Sequence, residues 1–281
     1  MRKKSFTTII RQMLFVGISL MLPVNWAVAQ EMLSADDYFR RGIEKVSADN
    51  CPDAVKDFDE AIRLNGNEAK FYKERGDCRL KRLGELEKAL ADFNQAIKLK
   101  PDYAEAYLSR AMLYFFFPPK SDQATDFDHL AIADFDKAIK LNPKHYQSFV
   151  IRAFFLLGKE KPLIKEGLAD LAKAIEINPN GEEAYLLRMS FYKRNGDFDK
   201  ALVDATAMTK NSKSGLGFIE RAKIYAETGK YQEAVADFTE ALKRDPLNPA
   251  VLQGRAAAYR AVGKISLAEA DEKTVKNLKQ K

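Results

Sequence analysis

The sequence predicts an all-α solenoid of about seven helix–turn–helix units. Three observations predict it. An arginine and an aspartate recur in step seven times: Arg41 with Asp57, Arg75 with Asp92, Arg110 with Asp134, Arg152 with Asp170, Arg188 with Asp204, Arg221 with Asp237 and Arg255 with Asp271. The pairs return about every 34 residues, the period of stacked helical hairpins. Each period holds two apolar helical patterns separated by a polar turn, with glycine or proline at the stops.

The chain opens differently. Arg2, Lys3, Lys4 and Arg11 make a basic start, Met13 to Leu22 is an uncharged apolar run, and Ala27-Val28-Ala29 places small residues where a signal peptidase reads. This layout predicts a secretory signal over residues 1–29, cleaved after Ala29, then a short linker at 30–34. The apolar run is short for a bilayer span, which disfavours an uncleaved anchor and predicts no stable membrane span after cleavage. No cysteine follows the cleavage site to carry a lipid. The expected compartment is an exported one, a bacterial periplasm first. Removing the leader's four basic residues leaves 42 Lys+Arg against 40 Asp+Glu, a net of +2 in place of +6. That balance lacks the concentrated basic face of a nucleic-acid binder, so no nucleic-acid partner is expected.

The units then follow in order, near residues 35–68, 69–103, 104–145, 146–181, 182–214, 215–248 and 249–281. The sixth is the most regular. Ile219 to Thr228 reads as one helix ending at Gly229-Lys230, and Tyr231 opens a second that runs through Phe238 and Leu242 to Asp245-Pro246. Ala222 and Ala234 face each other across this hairpin and let its helices approach closely.

These residues resemble the tetratricopeptide repeat family. Phe218, Ala222, Tyr225, Ala234, Phe238, Ala241 and Pro246 match its pattern position by position. Tyr72 to Pro101 matches through Gly76, Ala89, Phe93 and Ala96, and Tyr107 to Pro143 through Ala111, Tyr114, Ala131, Phe135 and Ala138. Weaker copies begin near Ala35, Tyr146, Glu182 and Pro249. The resemblance implies a right-handed superhelical solenoid over residues 35–281, of exported bacterial type given the leader.

Departures from the pattern carry expectations of their own. The third unit has eight extra residues between its helices, with Phe117-Pro118-Pro119 through Asp128 in that loop and His129 read as a loop residue with them. The fourth has two extra around Lys161-Pro162. The fifth has Met189 at the close-packing site, Ala205 where the aromatic belongs and Met208 where an alanine belongs, a volume-conserving exchange. It runs on without a proline into Asn211-Ser212-Lys213-Ser214-Gly215, where an irregular joint and a hinge are expected. Glu272 replaces the last aromatic, as suits a terminal cap.

In an antiparallel hairpin, Arg221 and Asp237 lie within a few ångströms of one level. A two-pronged arginine–carboxylate contact inside each repeat is therefore feasible. Because each arginine arrives with its own aspartate, all seven pairs are read as structural, not as a charge code for a ligand.

The resemblance implies that a ligand lies along the concave face, lined by the first helix of each unit. There the sequence offers Lys70, Lys73 and Lys81, then Leu108, Met112, Phe115, Phe116, Val150, Phe154 and Leu157, then Lys193, Arg194 and Lys223. An apolar centre with basic flanks suits a peptide with apolar anchors and some acidic character, or a partner protein bearing one. At least one of Phe115, Phe116 and Phe117 must face the core or the loop. The carboxylate clamp of some family members is not expected, since Asp77 and Ser109 stand where asparagines are needed.

Cys51 and Cys78 are a disulfide candidate in an oxidising compartment, with two separate buried thiols as the alternative. A bridge there contributes about 3 kcal/mol. Catalysis is not expected, nor a cofactor or metal. His129 and His145 lack metal-ligand spacing, and neither a phosphate loop nor a nucleophile elbow occurs. The functional expectation is a non-catalytic scaffold that binds a peptide or protein. The alternative is a structural subunit of a homo-oligomer or envelope complex.

Overall fold

The computed structural model describes residues 33–118, 126–159, 162–211 and 214–280. The leader expected at 1–29 and most of the linker lie outside the described residues, as do 119–125 of the long loop, 160–161, 212–213 and 281.

Fourteen α-helices pair into seven hairpins, with no strand among the described residues. The first helices of the units are α1 (Ala35–Ser47), α3 (Ala69–Cys78), α5 (Ala104–Phe116), α7 (Tyr146–Gly158), α9 (Glu182–Arg194), α11 (Leu216–Glu227) and α13 (Pro249–Ala261). The second helices are α2 (Cys51–Leu64), α4 (Leu86–Leu99), α6 (Phe127–Leu141), α8 (Ile164–Ile177), α10 (Phe198–Asn211), α12 (Tyr231–Leu242) and α14 (Ile265–Leu278). Local chemistry sets several of these boundaries. Ser34 and Asp37 close a capping box on α1, Asn50 caps α2 ahead of Pro52, and Asn248 caps α13 ahead of Pro249. Gly229 turns the sixth hairpin at a φ of 77°, a left-handed conformation that costs glycine little.

The core of most hairpins is a small residue set against a large one. A Cβ on Gly76 would lie 2.7 Å from Phe93 Cε1, so this ring rests on the bare backbone of α3. Ala111 and Ala222 hold the same position against Phe135 and Phe238. The fifth unit inverts the sizes: Met189, Ala205 and Met208 are all buried in one cluster with Tyr185 and Ile224. At the far end, Glu272 is exposed and takes a two-pronged bond from Arg260 at 2.9 and 2.8 Å.

Three features differ from the sequence reading. Asp128 and His129 belong to α6, because Asp126 accepts from the His129 amide and starts the helix early. The second unit carries one more residue between Arg75 and Asp92 than the 16-residue spacing of the first. A π turn over Arg79–Leu83 absorbs that residue at the end of α3. Of the joint expected at Asn211–Gly215, residues 212–213 lie outside the described residues, and Gly215 turns at a φ of 82°. A Cβ on Gly217 would fall on the Thr209 backbone nitrogen, so α10 and α11 meet backbone to backbone. Finally, Cys51 and Cys78 share a buried cluster with Ala54 and Phe58, yet both are free thiols, so the candidate bridge is not formed. Burial pushes the Cys78 thiol well up, and a hydrogen bond with Cys51 adds to it.

Candidate functional site

Two polar and apolar systems run the length of the solenoid, one inside the hairpins and one along the first helices. The inner system is the set of arginine–aspartate pairs. In all seven, Arg Nε meets Asp Oδ2 and Arg Nη2 meets Asp Oδ1, at 2.5 to 3.1 Å. Every aspartate is buried and arrives satisfied by a planar fork. For Arg110, burial alone would lower the guanidinium pKa. The hydrogen bond to Asp134 and the attraction of its charge together outweigh burial and raise the pKa, keeping the charge in place.

The pairs do more than register each hairpin. The remaining nitrogen, Nη1, reaches back to the preceding unit, to the residue two after that unit's aspartate. Arg75 meets Asp59 at 2.6 Å, Arg110 meets Asn94 at 2.7 Å, Arg152 meets Asp136 at 2.5 Å, and Arg255 meets Thr239 at 3.2 Å. Arg221 meets Thr206 more loosely, at 3.4 Å. Of the six arginines with a described unit before them, Arg188 is the one without such a bond, because the equivalent residue of the fourth unit is Ala172. Sequence reasoning missed these acceptors. Their signal was present as a polar residue two places after the aspartate in five of the six preceding units.

The outer system is the face of the first helices. Phe116 and Phe154, each 46% exposed, stack across the third and fourth units with centroids 6.2 Å apart. Phe115 sits behind them, half-buried and edge-on to the core ring of Phe155 at 4.7 Å. Two depressions flank this pair. The first, about 230 Å³, is lined by Lys73, Asp77, Leu80, Lys81, Glu105, Leu108, Ser109, Met112 and His145. The second, about 120 Å³, spans α7 and α9 and is lined by Phe154, Leu157, Gly158, Leu187, Ser190, Phe191 and Arg194. Both fall below the ~300 Å³ at which pockets for drug-sized ligands begin, and each has room for a side chain. A larger trough of about 480 Å³, formed by Leu202, Val203, Thr206, Ala207 and Lys210, is lined by α10 alone and gathers no converging elements.

Several of the expected groove residues sit elsewhere. Val150 is buried in the core of the fourth unit, and Leu157 and Leu108 are buried apart from the edges they lend to the depressions. The expected basic flanks are largely neutralised within the chain. Lys73 is held at 3.0 Å by both Glu74 and Asp77, Lys193 at 2.6 Å by Glu227, and Lys223 at 2.7 Å by Glu220. The two carboxylates outweigh the burial of Lys73 and raise its pKa. Lys81 and Arg194 are exposed cations of this face with no carboxylate within ion-pair distance among the described residues. Arg194 lies over the Phe191 ring, 5.8 Å from its centroid. Leu80, Leu187, Ser190 and Phe191 were not singled out from the sequence. Leu80 and Ser190 occupy the repeat positions of Leu157 and Phe154, and the register alone would have found them.

Comparison with known proteins agrees with this architecture. Residues 78–115 match the family described as TPR repeat, and residues 216–248 match the tetratricopeptide repeat. The Hsp70-Hsp90 organizing protein of Triticum aestivum is 33% identical over 82 residues, 29% of this chain and 14% of its own length. RNA polymerase II-associated protein 3 of Homo sapiens is 36% identical over 61 residues, 22% of this chain and 9% of its own. The chain thus spans a small part of the curated relatives it matches. Among solved structures, a tetratricopeptide repeat protein from Parabacteroides merdae superposes with a TM-score of 0.54 at 18% identity, covering 86% of this chain and 92% of that one. The type IV pilus biogenesis factor PilW superposes with 0.53 at 20% identity, covering 74% and 92%. With seven hairpins of one register, the chain is an all-α helical-repeat solenoid, and two stretches of it match the tetratricopeptide repeat.

Proposed function

We propose that this solenoid is a non-catalytic scaffold that binds a peptide or a partner protein along its first-helix face. The stacked, half-exposed pair Phe116–Phe154 carries the reading. Large rings left open to water between two side-chain-sized depressions are the kind of surface a partner covers. Among the described residues no cluster of His, Cys, Asp and Glu is arranged for a metal, and the carboxylates of the repeat are spent on arginines. A curated relative named as an organizing protein for Hsp70 and Hsp90 supports a scaffolding role for a stretch of similar repeats.

The test is affinity capture with the natural chain and with the double variant Phe116→Ser/Phe154→Ser, both first shown to be folded. Equal capture of the same partner by both would remove the face from the binding event.

A second reading comes from the same surface. Phe117 is 46% exposed beside Phe116, and Pro118 follows it. This apolar ridge also suits burial in a homo-oligomer or an envelope complex, and light scattering on the purified chain separates a monomer from that assembly.

The export reading rests on the leader-like layout of residues 1–29. It places the scaffold in an exported compartment, the bacterial periplasm first. No described helix is long and apolar enough to cross a membrane. A mature N-terminus at Gln30 is expected on Edman sequencing, and a chain starting at Met1 would refute cleavage.

A further inference from the structure

We infer that the second depression, between the fourth and fifth units, is the anchor subsite for an acidic peptide. It takes one aromatic or branched aliphatic side chain, with Arg194 pairing a neighbouring carboxylate, and it widens at a joint the arginines leave unlocked. The inference rests on the reading of the first-helix face as the binding face.

The chemistry of the occupant follows from the lining. Phe154, Leu157, Leu187 and Phe191 form an apolar floor, Ser190 offers one hydroxyl, and no acidic residue lines this depression. Arg194 stands at its side with an aromatic face beneath it and, among the described residues, no carboxylate within ion-pair distance. A guanidinium stacked on a ring keeps its donors for an incoming planar carboxylate. The first depression differs, since Asp77 and Glu105 sit there with Lys73 and Lys81 and the charges cancel.

The mobility follows from the junction. The fourth and fifth units are pinned at one end, where Tyr146 bonds Glu183 at 3.0 Å and receives the Ala184 amide at 3.1 Å. Its ring also lies where a Cβ on Gly181 would fall. At the middle level Ala172 denies Arg188 the backward bond that the other junctions have. Beyond that level, at the far ends of α7 and α9, lies the depression. Ala184, Leu187 and Phe191 pack on the apolar core of the fourth unit, and such packing tolerates small sliding. The cavity measures about 120 Å³, and one of ~150 Å³ is known to accept a benzene ring, so a slight opening admits a phenyl group.

The test uses the full chain and two fluorescein-labelled peptides, each with a central phenylalanine, one flanked by glutamates and one by lysines. The glutamate peptide is expected to bind at least about tenfold more tightly, and Arg194→Glu to reverse that order. Ala172→Asp is an exposed substitution that supplies the missing acceptor. It is expected to weaken the phenylalanine peptide several-fold while leaving a valine-centred peptide unchanged, in protein whose circular dichroism is native. Equal binding of the two charged peptides, or an Ala172→Asp variant that binds all peptides as the natural chain does, would overturn the inference. If neither peptide binds while a cellular partner is still lost in Phe116→Ser/Phe154→Ser, this subsite fails and the face as a whole stands.

Discussion

Arg152 lies 2.5 Å from Asp136 of the preceding repeat while its other nitrogens hold Asp170 of its own at 2.7 and 2.6 Å. One side chain therefore fixes the register of a hairpin and joins that hairpin to its neighbour. Stacked repeats gain stability from such nearest-neighbour terms as well as from each unit's own core. The apolar part of each junction is non-directional, whereas a guanidinium fork admits one geometry.

Arg152→Lys should therefore destabilise the chain more than Arg188→Lys. A lysine ammonium is a single point of charge and cannot serve both aspartates of the Arg152 site, but Arg188 has one carboxylate to satisfy. Asp136 is largely exposed, so the difference is expected at about 0.5–1 kcal/mol in chemical denaturation. Equal losses would mean that the backward bond contributes nothing.

Asp92 should be the most sensitive aspartate of the series. It is buried and held by two guanidiniums, Arg75 at 2.6 Å and Arg79 at 2.7 Å. Asp92→Ala leaves both cations facing each other and is expected to cost about 3–5 kcal/mol. Asp237 has a single arginine, and removing Arg221 along with it should recover part of the loss, because no unpaired charge remains. If Asp237→Ala and Arg221→Ala/Asp237→Ala melt at one temperature, the pairing account of this site is wrong.

The repeat register was legible because it is written in side chains that must be where they are. Small residues meet rings, and each arginine meets its aspartate, so spacing alone located both helices of every unit. The binding face was less legible. Lys73, Lys193 and Lys223 read as basic flanks in one dimension, but their neutralising carboxylates come partly from other turns and other units, as Glu227 does for Lys193. Val150 and Phe154 are one helical turn apart and equally apolar, yet the first faces the core and the second faces water. Periodicity places both on a stripe and does not say where the neighbouring unit ends its cover. The π turn was signalled only by one surplus residue between Arg75 and Asp92.

Acid should open the N-terminal hairpin first. The Asp57 carboxyl would be raised by its burial, but hydrogen bonds from Arg41 and Lys45 outweigh that and hold it below the usual range. Bonds from Ser34 lower Asp37, and bonds from Lys56 and Asn50 lower Asp53. A carboxyl depressed in the folded state contributes its full stability above its unfolded value of about 3.9 and loses it as pH falls through the folded value. All three groups lie in α1 and α2 or their caps. Pepsin cleavage should therefore appear within residues 35–64 before the central units as pH drops below about 4. Simultaneous cleavage of the central hairpins would count against this order.

The two buried cysteines should resist alkylation in the folded chain. Cys78 is held as a thiol by burial and by its bond with Cys51, and the thiolate is the reactive form. Iodoacetamide at neutral pH should label neither cysteine on the timescale that labels both in denaturant. Fast native labelling would show that the first two units separate readily, and one disulfide with no free thiol in exported protein would show that the neighbours oxidise there.

The fifth unit offers the sharpest test of how the repeats tolerate change. Met189 fills from α9 the space that Phe135 or Phe238 fills from the second helix of its own unit, and Ala205 is small to make room. Met189→Ala alone leaves a cavity and is expected to cost about 2–5 kcal/mol. Ala205→Phe alone drives a ring into the methionine and should cost about 1–3 kcal/mol or more. Together they restore the alanine–phenylalanine pair of the third and sixth units, so the double variant should be more stable than the sum of the single losses by at least about 1 kcal/mol. Urea denaturation of the four proteins measures that coupling. Simple additivity would mean that Met208, also buried in the cluster, and not the exchange between Met189 and Ala205, sets the packing of this unit.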